Sequence, residues 1–235
     1  MTKSRMLRLS AVLAIVAATV MPMPGVANAQ VELPADCQVP PFIDLTGVNI
    51  VIGTNRSEVL KGTDGRDFIC GLLGDDVINA KGGNDLILSD TTTFFGNFGA
   101  AGGDDVVNAG AGDDEILPGP GDDTVNGGDG DDFLALALGD DIGNGGPGAD
   151  SIIGGLGRDM ATGGPGDDFI AGGPGDDMLN GGAGDDFLAG EVPPPPPGTE
   201  PPPLPGGPAL NDRCAGAGGF DVAVDCDRTS GVEEG

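Results

Sequence analysis

Thirteen aspartates share one phase of the chain: Asp67, Asp76 and Asp85, then Asp105, Asp114, Asp123, Asp132, Asp141, Asp150, Asp159, Asp168, Asp177 and Asp186. They stand nine residues apart on either side of a single 20-residue gap. A glycine precedes each by two positions, from Gly65 to Gly184, and nine of the thirteen have a second Asp directly before them, as in Asp104-Asp105 and Asp185-Asp186. Carboxylates set among glycine carbonyls are the oxygen ligands of a hard cation. A loose site offering about six to eight oxygens suits Ca²⁺ better than Mg²⁺. Paired carboxylates also cleave glycosides, but that chemistry needs one distinct pair, and a thirteenfold repeat leaves no unique acid or base. The chain has no His, which removes the commonest general base, the usual zinc ligand and every His-based triad. With no Gly-x-Ser-x-Gly elbow either, no catalytic residue and no enzymatic activity are expected.

The residues around each Asp indicate what holds it. Two positions after the thirteen come Ile69, Ile78, Ile87, Val107, Ile116, Val125, Leu134, Gly143, Ile152, Ala161, Ile170, Leu179 and Leu188. The best copies, such as Gly172-Gly173-Pro174-Gly175-Asp176-Asp177-Met178-Leu179-Asn180, run Gly-Gly-x-Gly-x-Asp-x-apolar-x. The first six residues form a turn, because glycine accepts positive φ and fills no core. The last three form a minimal strand whose middle side chain faces opposite to its neighbours. One inward aliphatic per unit cannot bury itself, but stacked coils of two units each align these residues into a thin continuous core. Stacked strands lie about 4.8 Å apart, so carboxylate columns build up along the turns and require a divalent cation. Without calcium, an acidic disordered chain is the expected state.

Composition agrees. With 46 Gly and 20 Pro in 235 residues, no ordinary globular core fits. The formal charge of −28 excludes nucleic acid and anionic membrane surfaces as partners. Residues 1–29 read as a cleavable secretory signal: Lys3, Arg5 and Arg8, then the apolar run Ala11 to Val20, then Ala27-Asn28-Ala29 before the cut. The run is too short for a membrane span of about 20 residues, so an extracellular product is expected. Residues 30–52 form a cap segment and 53–190 the roll, with an inserted loop at 89–99. Residues 191–208 form a Pro-rich linker and 209–235 a tail. Pro193 to Pro208 holds ten Pro in 16 residues, a stiff polyproline spacer or, alternatively, a ligand for a Pro-binding groove. Four Cys in an exported chain favour disulfides. Proximity favours Cys37 with Cys70, stapling the cap to the roll, and Cys214 with Cys226; zinc is the weaker alternative.

The 20-residue gap is either a distorted half-coil or an 11-residue loop inserted into one unit. As a loop it keeps Asn79, Asn108, Asn126, Asn144, Thr162 and Asn180 in one column and Cys70, Leu88, Leu117, Ala135, Ile153, Ala171 and Ala189 in the other, and is preferred. The Asn column is either turn chemistry or an amide ladder. One outer face then shows Val77, Val106, Thr124, Ile142, Met160 and Met178. The other shows Phe68, Leu86, Glu115, Phe133, Ser151, Phe169 and Phe187, a candidate contact surface. Gly143 and Ala161, neighbours in the inward column, leave a gap where the roll is expected to be weakest.

From Gly62 to Gly190, with Gly53 to Lys61 as a degenerate first unit, the chain resembles the RTX nonapeptide family of calcium-binding parallel β-rolls. The resemblance implies an all-β, right-handed parallel solenoid in which Ca²⁺ sits between neighbouring turns, held by turn carbonyls and by the thirteen Asp named above. Many members are toxins or proteases exported uncleaved. This chain has a cleavable signal and no catalytic domain, and its flanks, with Cys70 and Asn211-Asp212-Arg213-Cys214 to Cys226, look more like small secreted bacterial calcium-binding proteins. The expected function is extracellular binding of several calcium ions that fold the roll. The rival is a calcium-ordered adhesion or self-assembly module that presents the Phe-bearing face to a protein, a glycan or an identical subunit.

Overall fold

The computed structural model describes residues 33–34, 37, 39, 43–90, 102–190, 213–216, 222–224 and 228–230. The secretory signal and the Pro-rich run lie outside them. Strands β1 (Asn49–Ile52), β2 (Val59–Lys61), β3 (Asp67–Leu72), β4 (Val77–Gly82) and β5 (Leu86–Asp90) come first. There follow β6 (Val106–Ala111), β7 (Glu115–Leu117), β8 (Gly119–Pro120), β9 (Thr124–Asp129), β10 (Phe133–Leu138) and β11 (Ile142–Asn144). Next are β12 (Ser151–Leu156), β13 (Met160–Pro165), β14 (Phe169–Ala171), β15 (Met178–Ala183) and β16 (Phe187–Ala189), and last β17 (Arg213–Ala215), β18 (Val222–Val224) and β19 (Arg228–Ser230).

Apart from β7 and β8, which share a sheet, consecutive strands alternate between two parallel sheets, which makes the chain an all-β parallel solenoid. A ten-stranded sheet orders β1-β3-β5-β7-β10-β12-β14-β16-β18, with β8 beside β10, and a nine-stranded sheet orders β19-β17-β15-β13-β11-β9-β6-β4-β2. Each strand pairs with the strand one coil away: Leu134 lies opposite Ile152 and Ile152 opposite Ile170. Between the sheets runs one apolar ladder that includes Ile69, Ile78, Ile87, Val107, Ile116, Val125, Leu134, Ile152, Ala161, Ile170, Leu179 and Leu188. These are the inward positions named by the repeat, and Cys214, with Val51 and Ala223 packed alongside, prolongs the ladder at both ends.

The extra residues of the gap enter without disturbing the columns. Asn79 pairs with Asn108, and Cys70 pairs with Leu88, which pairs with Leu117. Ser89 and Asp90, expected to open the loop, instead complete β5 and are buried. Residues 91–101 lie outside the described residues. A second interruption has the same form: β17 pairs with β15, Met178 lying opposite Arg213, and β18 pairs with β16, Phe187 lying opposite Val222. The segment expected to be a tail beyond a spacer therefore continues the roll. Both interruptions fall where the chain passes from the ten-stranded to the nine-stranded sheet, on one edge of the solenoid.

Two further expectations are corrected. The outer face of the ten-stranded sheet is not a continuous exposed Phe surface. At its N-terminal end Phe68, Cys70, Leu86 and Leu88 form a second buried cluster with Cys37, against which Leu33, Val39, Ile43, Leu45, Val48 and Ile50 pack. The Cys37–Cys70 disulfide ties that cover down. Further along, Phe133, Phe169 and Phe187 are half-buried, and Phe169 stacks on Phe187 with centroids 5.5 Å apart. Among the described residues, the large apolar side chains most exposed are on the other sheet: Val59, Val77, Val106, Ile142, Met160 and Met178. Nor is there a gap at Gly143. Leu136, which replaces a turn glycine, turns into the core, and its Cδ1 lies 2.9 Å from where a Gly143 Cβ would stand. The absent side chain at one position is supplied by the extra one at another.

Candidate metal sites in the turns

The six residues up to and including each repeat Asp form the turn, with the Asp sixth. In the turn from Gly145 to Asp150, a Cβ on Gly145 would stand 2.3 Å from Asp150 Oδ2, so in this turn glycine leaves the carboxylate its room, whereas Ala80, Ala109, Pro118 and Leu136 take the first position in other turns whose Asp is still buried. The fourth, Gly148, has φ +151°, and a Cβ there would meet Gly130 O of the adjacent coil at 1.8 Å. Only glycine permits that closeness.

All thirteen repeat aspartates are buried, none more than 3% exposed. They form two columns, one per edge. Asp67, Asp85, Asp114, Asp132, Asp150, Asp168 and Asp186 are linked by the backbone N–H of each donating to Oδ1 of the next, at 2.7–2.9 Å. Asp76, Asp105, Asp123, Asp141, Asp159 and Asp177 are linked likewise, at 2.7–3.0 Å. The sequence-derived stacking of turns is thus reproduced in full.

The second carboxylate oxygen is where the arrangement is incomplete. Oδ2 of Asp76, Asp85, Asp105, Asp114, Asp123, Asp132, Asp141, Asp150 and Asp159 is buried and has no hydrogen-bond partner. A buried carboxylate oxygen left so is costly unless a cation meets it. Burial, and then the like charges around them, raise these carboxyls: Asp76, Asp85 and Asp132 to about 6, Asp105, Asp114, Asp141 and Asp159 to about 7, and Asp123 and Asp150 to about 8. The N–H from the adjacent coil opposes the rise without cancelling it. Asp67 differs: its carboxylate accepts from the Asn49 side chain, the Thr63 N–H and the Thr63 hydroxyl. Among the described residues no three acidic, His or Cys side chains converge on one point. Carbonyl oxygens must therefore complete any site, as calcium accepts.

Where an Asp precedes the repeat Asp, it has another task. Asp122 N–H donates to Asp104 Oδ1 at 3.0 Å and Asp140 N–H to Asp122 Oδ1 at 2.8 Å. These carboxylates thus reach forward along the roll while the repeat Asp reach back, so that Asp104 and Asp123 span the gap between their two coils from opposite sides. In the amide column, Asn144 donates to Asn126 Oδ1 at 2.7 Å, one rung of a ladder.

Two sets of residues escaped the sequence pattern. Ser89 and Asp90 occupy the first two positions of the interrupted turn, and both carry buried, unpartnered oxygens. Asp212 and Asp221 directly precede β17 and β18 as Asp177 and Asp186 precede β15 and β16, and their nine-residue spacing is the signal that would have found them. Their side chains lie outside the described residues.

No curated protein matches the chain. A model of the RTX calcium-binding nonapeptide repeat matches it at residues 52–87, 100–134, 119–143, 137–161 and 162–191. The matched segments span most of both sheets and all thirteen buried aspartates, and the chain belongs to the RTX calcium-binding nonapeptide repeat family.

Proposed function

We propose that the chain is an extracellular calcium-binding protein whose roll folds as several Ca²⁺ ions enter between stacked coils, with no catalytic activity of its own. The observation that carries this reading is the file of buried Oδ2 atoms without partners, from Asp76 to Asp159. Bound calcium supplies the positive charge that the columns lack. The thirteen repeat Asp, from Asp67 to Asp186, are the carboxylate ligands, and turn carbonyls supply the neutral oxygens. Where the first turn position is glycine, as at Gly127, Gly145 and Gly163, it keeps the space into which the carboxylate folds. Binding confined to the folded form supplies stability that a thin core and self-repelling turns do not.

Export is supported by the sequence of residues 1–29 and by the Cys37–Cys70 disulfide, a bond that persists in oxidising compartments. Among the described residues no helix is long and apolar enough to cross a membrane.

The test is circular dichroism of the chain from Gln30 onward during calcium titration. The expected result is loss of β-structure in chelator and its cooperative return with calcium, but not with magnesium at equal concentration. A chain fully β-structured in chelator overturns calcium-driven folding. Turnover abolished by one Asp→Asn substitution, with calcium folding intact, overturns the absence of catalysis.

A further inference from the structure

The interrupted turn is built differently from the others. Its six positions are Ser89, Asp90, Gly102, Gly103, Asp104 and Asp105. In neighbouring turns the fourth-position N–H donates to the third-position carbonyl of the next coil: Gly112 to Asp129, Gly121 to Leu138, Gly130 to Pro147, Gly139 to Leu156 and Gly148 to Pro165. By that rule Gly103 would donate to Pro120. Instead its N–H donates to Asp90 Oδ2, at 3.0 Å.

The consequence is an unusual meeting of acceptors. Asp90 Oδ2 lies 2.1 Å, and the Pro120 carbonyl oxygen 1.6 Å, from the point where a Gly102 Cβ would stand. Two oxygens therefore face the same small space, and the Gly103 proton that would have reached Pro120 is engaged elsewhere. The other carboxylate oxygen, Asp90 Oδ1, is buried without a partner, and so is Ser89 Oγ beside it. Asp90 is 1% exposed. The charges acting on it, Asp105 foremost and then Asp76 and Asp75, are all acidic. Oxygens that crowd together in this way, out of water, need a cation among them.

We propose that Asp90 is a calcium ligand outside the nonapeptide pattern, holding an ion at the interrupted turn together with Asp105 and the Pro120 carbonyl. The inference rests on the calcium reading above and adds a carboxylate that the repeat does not specify. Its charge makes this the most acidic turn of its edge, and calcium affinity rises with ligand charge. The roll thereby binds firmly at the point where its backbone is broken by eleven additional residues.

The competing role for Asp90 is purely structural, closing the turn through Gly103. Two substitutions in the full chain separate the two. Asp90→Asn keeps an acceptor for the Gly103 N–H and loses the charge, whereas Asp90→Ala loses both. Calcium binding by equilibrium dialysis and calorimetry is expected to show, in both variants, either one ion fewer per chain or one site weakened by roughly tenfold. The Asp90→Asn variant should still reach the wild-type dichroism at saturating calcium. Asp90→Asn with the wild-type number of ions and wild-type affinities overturns the proposal, whatever Asp90→Ala does. A wild-type chain that binds no calcium overturns the broader reading as well, and is recognised because it fails before any substitution is made.

Discussion

The first turn of the roll and the turns behind it carry the same aspartate at the same position and satisfy it by different means. Asp67 receives the Asn49 side-chain N–H, the Thr63 N–H and the Thr63 hydroxyl. Asp123 and Asp141 each receive one backbone N–H at Oδ1, and at Oδ2 nothing. Around the first turn a second apolar cluster and a disulfide cover the sheet, while further along the outward side chains face solvent or one another. The Asp67 turn is finished with protein groups, whereas the coils behind it leave buried carboxylate oxygens without a protein partner. Under the proposed function, calcium dependence is therefore expected chiefly of the repeating interior.

The largest effect expected from this contrast is regional. At limiting calcium, amide hydrogen exchange should accelerate by orders of magnitude across β6–β16 and least across β1 and β3. Equal acceleration at both ends would erase the distinction. The second expectation concerns protons. In the calcium-free chain the interior carboxyls are raised by burial to about 6 to 8, above their unfolded values near 4. The folded form therefore takes up protons, and its stability is fully present below about pH 4 and lost as pH rises through 6 to 8. Dichroism of the chelated chain should show β-structure gained toward pH 4, and calcium should remove the loss at pH 8. A flat profile between those limits would contradict the assigned cause.

A smaller and local effect follows from the cover. Replacing Cys37 and Cys70 by Ser opens a loop of 33 residues' separation and should cost about 3 to 4 kcal/mol, read out as faster exchange in β1 and β3 with β12–β16 unchanged. The smallest concerns packing within the interior coils. Leu136→Ala should cost about 2 to 3 kcal/mol by emptying the space beside Gly143, and Gly143→Val alone about 1 to 3 kcal/mol by overfilling it. The double variant should be more stable than the sum of the two costs predicts. Additive losses in calcium-saturated thermal or denaturant melts would show that Leu136 does not occupy that space.

Much of this was readable from the chain because each coil interacts chiefly with its neighbours, so the nine-residue phase of Asp and aliphatic side chains carries the architecture. The inward column and both carboxylate columns follow from it directly. What stayed hidden depends on exceptions. Ser89 and Asp90 do not resemble the glycines whose places they take, so the nine-residue pattern alone puts the insertion two residues early. The strands after the Pro-rich run were missed because Met178 meets Arg213, 35 residues on, outside any regular period. Leu136 and Gly143 compensate for each other across the core, where a column-by-column reading sees only two defects. The burial of Phe68 depends on residues ahead of the repeat, which carry no periodic signal.

Both interruptions leave the roll from the same edge, and the opposite edge runs from Asp67 to Asp186 through unbroken turns. The two edges therefore differ in how freely the gene can vary. Length changes at residues 91–101 or 191–212 alter no pairing on the continuous edge, which keeps every coil in phase whatever is spliced opposite it. A single added unit of nine residues would do the reverse, moving every later strand to the other sheet and exchanging the Asn column with the Leu and Ala column. Inherited variation in this chain is thus expected as insertions of any length on one side and as whole coils of 18 residues everywhere else.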